Sequence, residues 1–452
     1  MADAVAQLTS EYLDLVFETF PTAAPPWSWP PTTPRSSSSA TGWCAWSTAA
    51  RSSSTPTRSV VPSPDLLDRL LSEEGRALLD GLPAGPLDPD DALRVGTRLR
   101  GRFPAELVAA ALAQHELRTR AAAKFARAAG MWFTREGLEQ ASAEPLARHR
   151  AERYAGLPRV ADLCCGIGGD LCALAPGRDA VAVDLDPVHV RMARENARAH
   201  GAGEVGAVCA DVRGLRLPRS LAVFVDPARR AGGRRLPATA SRPPLGWCLG
   251  LADRVAGVGV KTAPGLPLDQ VPPGWEVELL ADRRELKEAV LWSPALASTT
   301  RRATVFPGPH TLAATATVDP DGLLPVPCRP PGAYLLDPSP AVTRAGLVEE
   351  LARELGAWKL DPRIAFLSAD RPLHTPFGRL LGVDASLPWN LKRLRQALRE
   401  RGVGAVEVRK RGSAVDVAEL TGRLRLAGDA RAVVVLTRVA DRPWALVCTE
   451  ER

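Results

Sequence analysis

Four aspartates stand where apolar runs stop, and their placement is the part of this chain that could do chemistry. Asp162 lies near the end of Arg159-Val-Ala-Asp-Leu163, Asp184 closes Ala180-Val-Ala-Val-Asp184, Asp211 follows Val208-Cys-Ala210, and Asp226 follows Leu221-Ala-Val-Phe-Val225. A parallel strand buried on both faces reads as a continuous apolar run, so an acid at its carboxyl end is placed for the ligand crevice that such sheets carry there. Between the first two acids runs Cys164-Cys-Gly166-Ile-Gly168-Gly-Asp170. Glycines in such a turn allow positive φ and close approach of backbone to a ligand. A helix following the turn presents unpaired N–H groups to a polar or anionic group. Together these residues point to a nucleotide-like cofactor. A dinucleotide is disfavoured, because counting from Gly166 the position that should be small for helix–strand packing is Leu171. Asp184 is placed to accept hydrogen bonds from ribose hydroxyls.

The elements that must hold these acids are legible around them. Asp186 can cap a helix whose first residue is Pro187, and Gly201 follows its last turn. Leu221–Val225 and Val255–Val260 read as further buried strands. Trp275–Leu280 and Glu288–Trp292, joined by a short charged link, read as a closing hairpin. The alternation of strand and helix predicts an α/β fold built on a Rossmann-like, doubly wound parallel sheet over residues 156–293. A helical region over 63–155 precedes it.

On these residues the chain resembles the class I S-adenosylmethionine-dependent methyltransferases. Asp162–Gly169 resembles their first motif, Val183-Asp184-Leu-Asp-Pro187 the second, and Cys209-Ala-Asp211-Val the third. Phe224-Val-Asp226-Pro227-Ala228-Arg229 resembles the fourth, which faces the methyl acceptor. The resemblance implies S-adenosyl-L-methionine as cofactor, held by Asp162, Cys164, Gly166, Gly168, Asp184 and Asp211. It also implies a catalytic Asp226 and Pro227, accepting hydrogen bonds from an exocyclic amine so that the nitrogen lone pair faces the methyl group. Two departures stand out. Cys164 occupies the place of a usual glycine, and Ala228-Arg229 replaces the usual proline and aromatic. The same motif also resembles that of uracil-C5 RNA methyltransferases, which need a cysteine nucleophile after the fifth strand. Here that segment reads Lys261-Thr-Ala-Pro-Gly265, and Cys248 lies earlier on a helical stretch, where cysteine is ordinarily a small hydrophobe. Nitrogen methylation is the better-supported reading.

Composition sets the surroundings. The chain has 452 residues, 58 Lys and Arg against 51 Asp and Glu, and 45% hydrophobic residues. That length implies two or three domains, and no apolar run reaches the ~18 residues needed to cross a bilayer. The first residues carry Asp3, Glu11, Asp14 and Glu18 without a basic leader, against a signal peptide. The cysteines show no Cys-x-x-Cys, supporting neither a metal site nor a disulfide framework. A reducing, cytoplasmic setting is the expectation. Residues 21–64 are rich in Ser, Thr and Pro and cannot bury enough apolar surface to offset ordering. Residues 1–62 read as a disordered extension or one foreign to the native protein. Arg118, Arg120, Lys124 and Arg127 allow either a solvated face or an RNA backbone contact.

Residues 385–452 hold 14 Lys and Arg against 8 Asp and Glu, six of the chain's net charge of +7. A basic amphipathic helix over 391–401 carries Lys392 and Arg393, and a strand over 405–408 leads into Arg409-Lys410-Arg411-Gly412. Concentrated charge of this kind suits phosphate-backbone attraction, although a merely solvated face is the alternative. The segment resembles the THUMP-like domain fused to methyltransferases in actinobacterial proteins. That resemblance implies a structured RNA as partner, with Arg229, Lys392, Arg393, Arg409, Lys410 and Arg411 as candidate contacts. Residues 294–384 read as a connecting module. A small-molecule or protein methyltransferase, and a non-catalytic RNA-binding protein that keeps the cofactor fold, are the competing readings.

Overall fold

A computed structural model describes residues 62–228, 230–231, 234–235, 241–314 and 325–450. Residues 1–61, which hold nearly all of the Ser- and Pro-rich extension, and Arg229 lie outside the described residues. The first sheet contains β1 (Arg159–Leu163), β2 (Asp179–Asp184), β3 (Val205–Cys209), β4 (Ala222–Val225), β5 (Gly257–Thr262), β6 (Glu276–Asp282), β7 (Glu285–Trp292), β8 (Arg301–Phe306) and β9 (His310–Ala313). Their order is β9-β8-β6-β7-β5-β4-β1-β2-β3. β3, β2, β1, β4 and β5 are mutually parallel. β7 inserts antiparallel between β5 and β6, as the expected hairpin requires. The chain reverses direction in strand order at β1, so the carboxyl ends of β1, β2 and β4 meet at the switch point where ligands bind in open α/β sheets.

The sheet runs on past residue 293, where the sequence suggested it would close. β8 adds parallel to β6 and β9 pairs back onto β8. This boundary was hidden because β8 opens on two charged residues. Arg302 binds the buried Glu276 through Nε at 2.8 Å, and Arg301 binds the carbonyls of Ala345 and Gly346. A second sheet begins earlier than residue 385. It contains β10 (Tyr334–Pro338), β11 (Trp358–Lys359), β12 (Leu367–Ala369), β13 (Gly378–Pro388), β14 (Val403–Lys410), β15 (Ala430–Val439) and β16 (Arg442–Glu450). Their order is β11-β12-β10-β13-β16-β15-β14. The 294–384 stretch is therefore no separate module. Its start completes the first sheet, its end builds the second, and helices Pro340–Ala345 and Val348–Leu355 pack into the first sheet's core through Ala341, Val342, Ala345 and Leu351. Arg409 and Lys410, expected near a loop, belong to β14.

Local rules account for several elements. Asp186 caps Pro187–Ala199 by accepting from Val188 N at 2.8 Å. Asn390 caps Leu391–Glu400, and Asp416 caps Val417–Leu424 by accepting from Glu419 N. The helical region starts from Pro64–Leu71 and ends on Glu144–Glu152. That last helix is bolted to the first sheet by three basic side chains. His149 Nε2 lies 2.6 Å from Glu278, Arg153 pairs with Glu276 at 2.5 Å, and Arg150 bridges Asp170 and Glu288. Burial pushes the Glu278 carboxyl up, but His149, Thr304 and Arg153 outweigh it and hold it at about 2. Arg118 and Lys124 serve the same region. Arg118 Nε binds Met131 O at 2.8 Å and stacks over Trp132, and Lys124 Nζ binds the carbonyls of Leu138 and Ala141. These two cations hold the helical region together internally, neither as a solvated face nor as a free surface.

Arg150 is 1% exposed and is the shared cation of two buried acids. Removing one member of a buried ionic network strands the others without compensation, at about 3–5 kcal/mol. An Arg150→Met variant should therefore lose about 3–5 kcal/mol in urea unfolding; an unchanged midpoint would contradict the bolt.

Candidate active site

The acids expected to act together do converge. Asp162 sits in β1 opposite Ala182 of β2 and Phe224 of β4, so its side chain lies inside the sheet's carboxyl edge. It is 1% exposed, and neither carboxylate oxygen has a hydrogen-bond partner among the described residues. Burial pushes its carboxyl well up, Asp170 and Asp226 push it further, and Lys261 opposes them. Unpartnered buried carboxylates are costly, so Asp162 is the acid at this edge that the protein's own groups do not compensate.

The turn after β1 is built for close approach. Cys164 takes the usual glycine's place and adopts its conformation, φ 62°, while Gly166 and Gly168 have φ 51° and 79°. A Cβ on Gly168 would fall 2.7 Å from the Ala193 backbone, so no larger residue fits there. Asn196 ties the turn down by donating to Ile167 O at 2.8 Å and Trp132 O at 2.9 Å. Burial together with Asp184 and Asp226 raises the Cys164 thiol, which stays protonated. Burial likewise pushes Cys248 up to about 12, an environment unsuited to a thiolate nucleophile.

Asp184 ends β2 beside this turn. Its carboxylate accepts from Gly166 N at 2.9 Å and Asp186 N at 3.0 Å, with His189 Nδ1 3.9 Å away. Burial raises its carboxyl, but His189 and the two N–H groups outweigh that and keep it below the ordinary range. Leu185 follows, 71% exposed, an apolar side chain on the crevice rim that the sequence reading passed over. Asp211 also lies at this edge, beyond β3, but at the surface. Arg213 grips it through Nε and Nη2 at 2.6–3.1 Å and holds its carboxyl at about 2.

Asp226 follows β4, its side chain 29% exposed, with Lys261 Nζ 2.6 Å from Oδ2. Lys261 is 3% exposed, comes from the carboxyl end of β5 and also stands 3.9 Å from Asp170. Sequence reasoning noted the segment only for its missing cysteine; the available signal was a lysine directly after the apolar Gly257-Val-Gly-Val260. Pro227 is buried, and Ala228 pairs through its backbone with Arg242. The basic candidates of the second sheet stand apart from this crevice. Lys392 and Arg393 are exposed on Leu391–Glu400. Arg409 pairs with Glu407, Lys410 with Val415 O, and Arg411 with Asp337 at 2.8 Å.

A methyltransferase domain model matches residues 160–225, a THUMP domain-like model 378–450, and a domain of unknown function (DUF8688) 63–121. An uncharacterized S-adenosylmethionine-dependent methyltransferase of Mycobacterium tuberculosis, matched alike in two strains, is 40% identical over 357 residues, covering 74% of this chain and 95% of the relative. The chain belongs to the S-adenosylmethionine-dependent methyltransferases. The fold of this methyltransferase also matches the crystal structure of a Porphyromonas gingivalis W83 protein assigned as a methyltransferase. The TM-score there is 0.64 at 20% identity, over 81% of this chain and 100% of the other. Its cofactor is S-adenosyl-L-methionine, and no helix among the described residues is long and apolar enough to cross a membrane.

The state of Asp162 makes stability pH-dependent. At low pH its carboxyl is protonated in both the folded and unfolded chain. As pH rises, the unfolded carboxyl ionises first, so stability is lost until pH passes the raised folded value. An Asp162→Asn variant should therefore unfold at higher urea than the parent at neutral pH, with the advantage shrinking toward pH 4. A difference independent of pH would contradict the buried, unpartnered carboxyl.

Proposed function

We propose that this methyltransferase methylates a base nitrogen of a structured RNA, with Asp226 and Pro227 at the acceptor. The observation that carries the reading is Asp226, partly exposed at the switch point and held on one oxygen by the buried Lys261. The ion pair occupies Oδ2 and keeps the carboxylate fixed, while Oδ1 has no part in it. A fixed acceptor at the crevice mouth can take an N–H from an incoming amine, and the Pro227 carbonyl can take the second. Holding the amine by both hydrogens directs its lone pair along one line, and positioning of that kind supplies most of the acceleration in such a displacement.

The crevice suits the cofactor in its chemistry. S-adenosyl-L-methionine brings an electrophilic methyl group on a cationic sulfur, and the reactivity is its own. Asp162 offers an uncompensated buried carboxylate to a cationic ligand. Gly166 leaves open space for close backbone approach, Gly168 is kept small by Ala193 of the next helix, and Cys164 lines the same turn. Asp184 would take the ribose hydroxyls, exchanging its bond from Gly166 N, and Leu185 offers an apolar rim for the base. Asp211, gripped by Arg213, would reach the adenine edge only by sharing its carboxylate with that guanidinium.

RNA as acceptor draws support from the THUMP-like match and from the basic excess of the last 68 residues, 385–452. Attraction for phosphates is salt-dependent, whereas a small-molecule or protein acceptor would not give a steep salt slope. With labelled cofactor and RNA from cells lacking the enzyme, Asp226→Asn should lower methyl transfer by roughly 10²-fold or more, comparable to losing one aimed polar group. Cofactor affinity should stay within a few-fold. Undiminished transfer by Asp226→Asn would overturn the assignment.

A further inference from the structure

Between the two sheets lies an arginine-lined cleft of about 490 Å³ that the methyl-transfer crevice does not use. One wall is the β6–β7 turn with Arg283 and Arg284 and the β8–β9 turn with His310. The other is Arg379 of β13 and Arg409 and Arg411 at the end of β14. We propose that this cleft holds a backbone phosphodiester of the RNA acceptor; the assignment rests on the RNA reading above and names the site that reading lacks.

Position argues first. β6 and β8 point the same way as β4, so the turns that follow them lie on the sheet edge that carries Asp226. Three to four strand spacings separate β4 from β6 and β8, roughly 14–19 Å. A strand of RNA whose target base enters the Asp226 crevice can thus lay a neighbouring phosphate in the cleft without leaving that edge.

Charge argues second. Five arginines line the cleft against two acids, Asp337 and Glu450. Glu450 binds both Arg284 and Arg379, Asp337 binds Arg411, and Glu407 beside the cleft binds Arg379 and Arg409, so four of the arginines are held in place by acids and Arg283 is left as the unpaired cation. Arg379 is nearly enclosed, its side chain 9% exposed, and its Nε is buried without a hydrogen-bond partner. Arg283 is exposed and makes no side-chain ion pair or hydrogen bond among the described residues, yet it sits at φ 55° in a tight turn. That conformation is sparsely populated for a residue with a Cβ, and glycine or asparagine would adopt it more readily. A guanidinium there, free of protein partners, is available to a phosphate, which it binds in a planar fork.

The test uses the full chain and a fluorescein-labelled RNA stem-loop with a single-stranded tail, followed by anisotropy across a salt series. The wild type should show affinity falling steeply with salt. The double variant Arg283→Gln/Arg284→Gln should bind several-fold more weakly at low salt, with the slope of log affinity against log salt shallower by about 1, for the one phosphate no longer held. Its cofactor affinity should be unchanged, which reports an intact first sheet. A double variant that binds with wild-type affinity and slope overturns the cleft while leaving the RNA reading standing. A wild type without salt-dependent RNA binding removes both. Displacement of the RNA by inorganic phosphate at matched ionic strength would make the cleft a small-anion site and overturn the proposal.

Discussion

Burial of acids at one edge of a parallel sheet is the constraint around which this molecule is arranged. Asp162 and Asp170 are at most 6% exposed, and Asp226 and Asp184 stand beside them at the switch point. Charges taken out of water need partners, and the chain supplies only part of the compensation. Arg150 answers Asp170 and Glu288, and Lys261 answers Asp226. Asp162 is left over. A fold that keeps an unpaired carboxyl at its sheet edge is destabilised there, and in the proposed cofactor role of Asp162 a bound cationic ligand would relieve that cost.

The surrounding elements make sense as supports for that edge. The helix Glu144–Glu152 provides Arg150 to the acid cluster and fixes its own place through His149 and Arg153. Asn196, from the helix after β2, ties the glycine turn to the helical region through Trp132. The helical region is thus part of the site's scaffold, not an appendage. On the other flank, β8 and the helices after β10 join the two sheets through apolar packing. The second sheet curls strongly: three strands separate β10 from β14 in its order, yet Arg411 reaches Asp337. That curl gathers the arginines of β13 and β14 toward the first sheet's turns.

The acids, the glycine turn and the first five strands were legible in sequence because a buried parallel strand must be apolar and an acid ending it is conspicuous. The substitution at Cys164 was legible as an oddity, and its resolution is physical: the residue takes the left-handed conformation itself. Less visible was everything held by long-range ionic contacts. Lys261 and Glu278 are charged residues beside apolar strand neighbours, Arg150 is one of several charges on a polar-looking helix, and nothing local says which partner lies across the fold. The boundary placed at residue 293 failed for the same reason, since β8 hides its role behind Arg301 and Arg302. In the C-terminal segment the charge excess was plain, but its distribution was not. Lys392 and Arg393 face solvent on a helix, whereas Arg409 and Arg411 turn inward to the inter-sheet cleft.

The most direct test of this account is proton-counting calorimetry of S-adenosyl-L-methionine binding, in buffers of differing ionisation enthalpy at neutral pH. Burial and its acidic neighbours push the Asp162 carboxyl well up in the free protein, and a cationic ligand favours the ionised form. Binding should therefore release a proton from the wild type, and that release should vanish in Asp162→Asn. Binding without proton release, or release undiminished in the variant, would contradict the claim that the unpaired carboxyl is the cofactor's counter-charge.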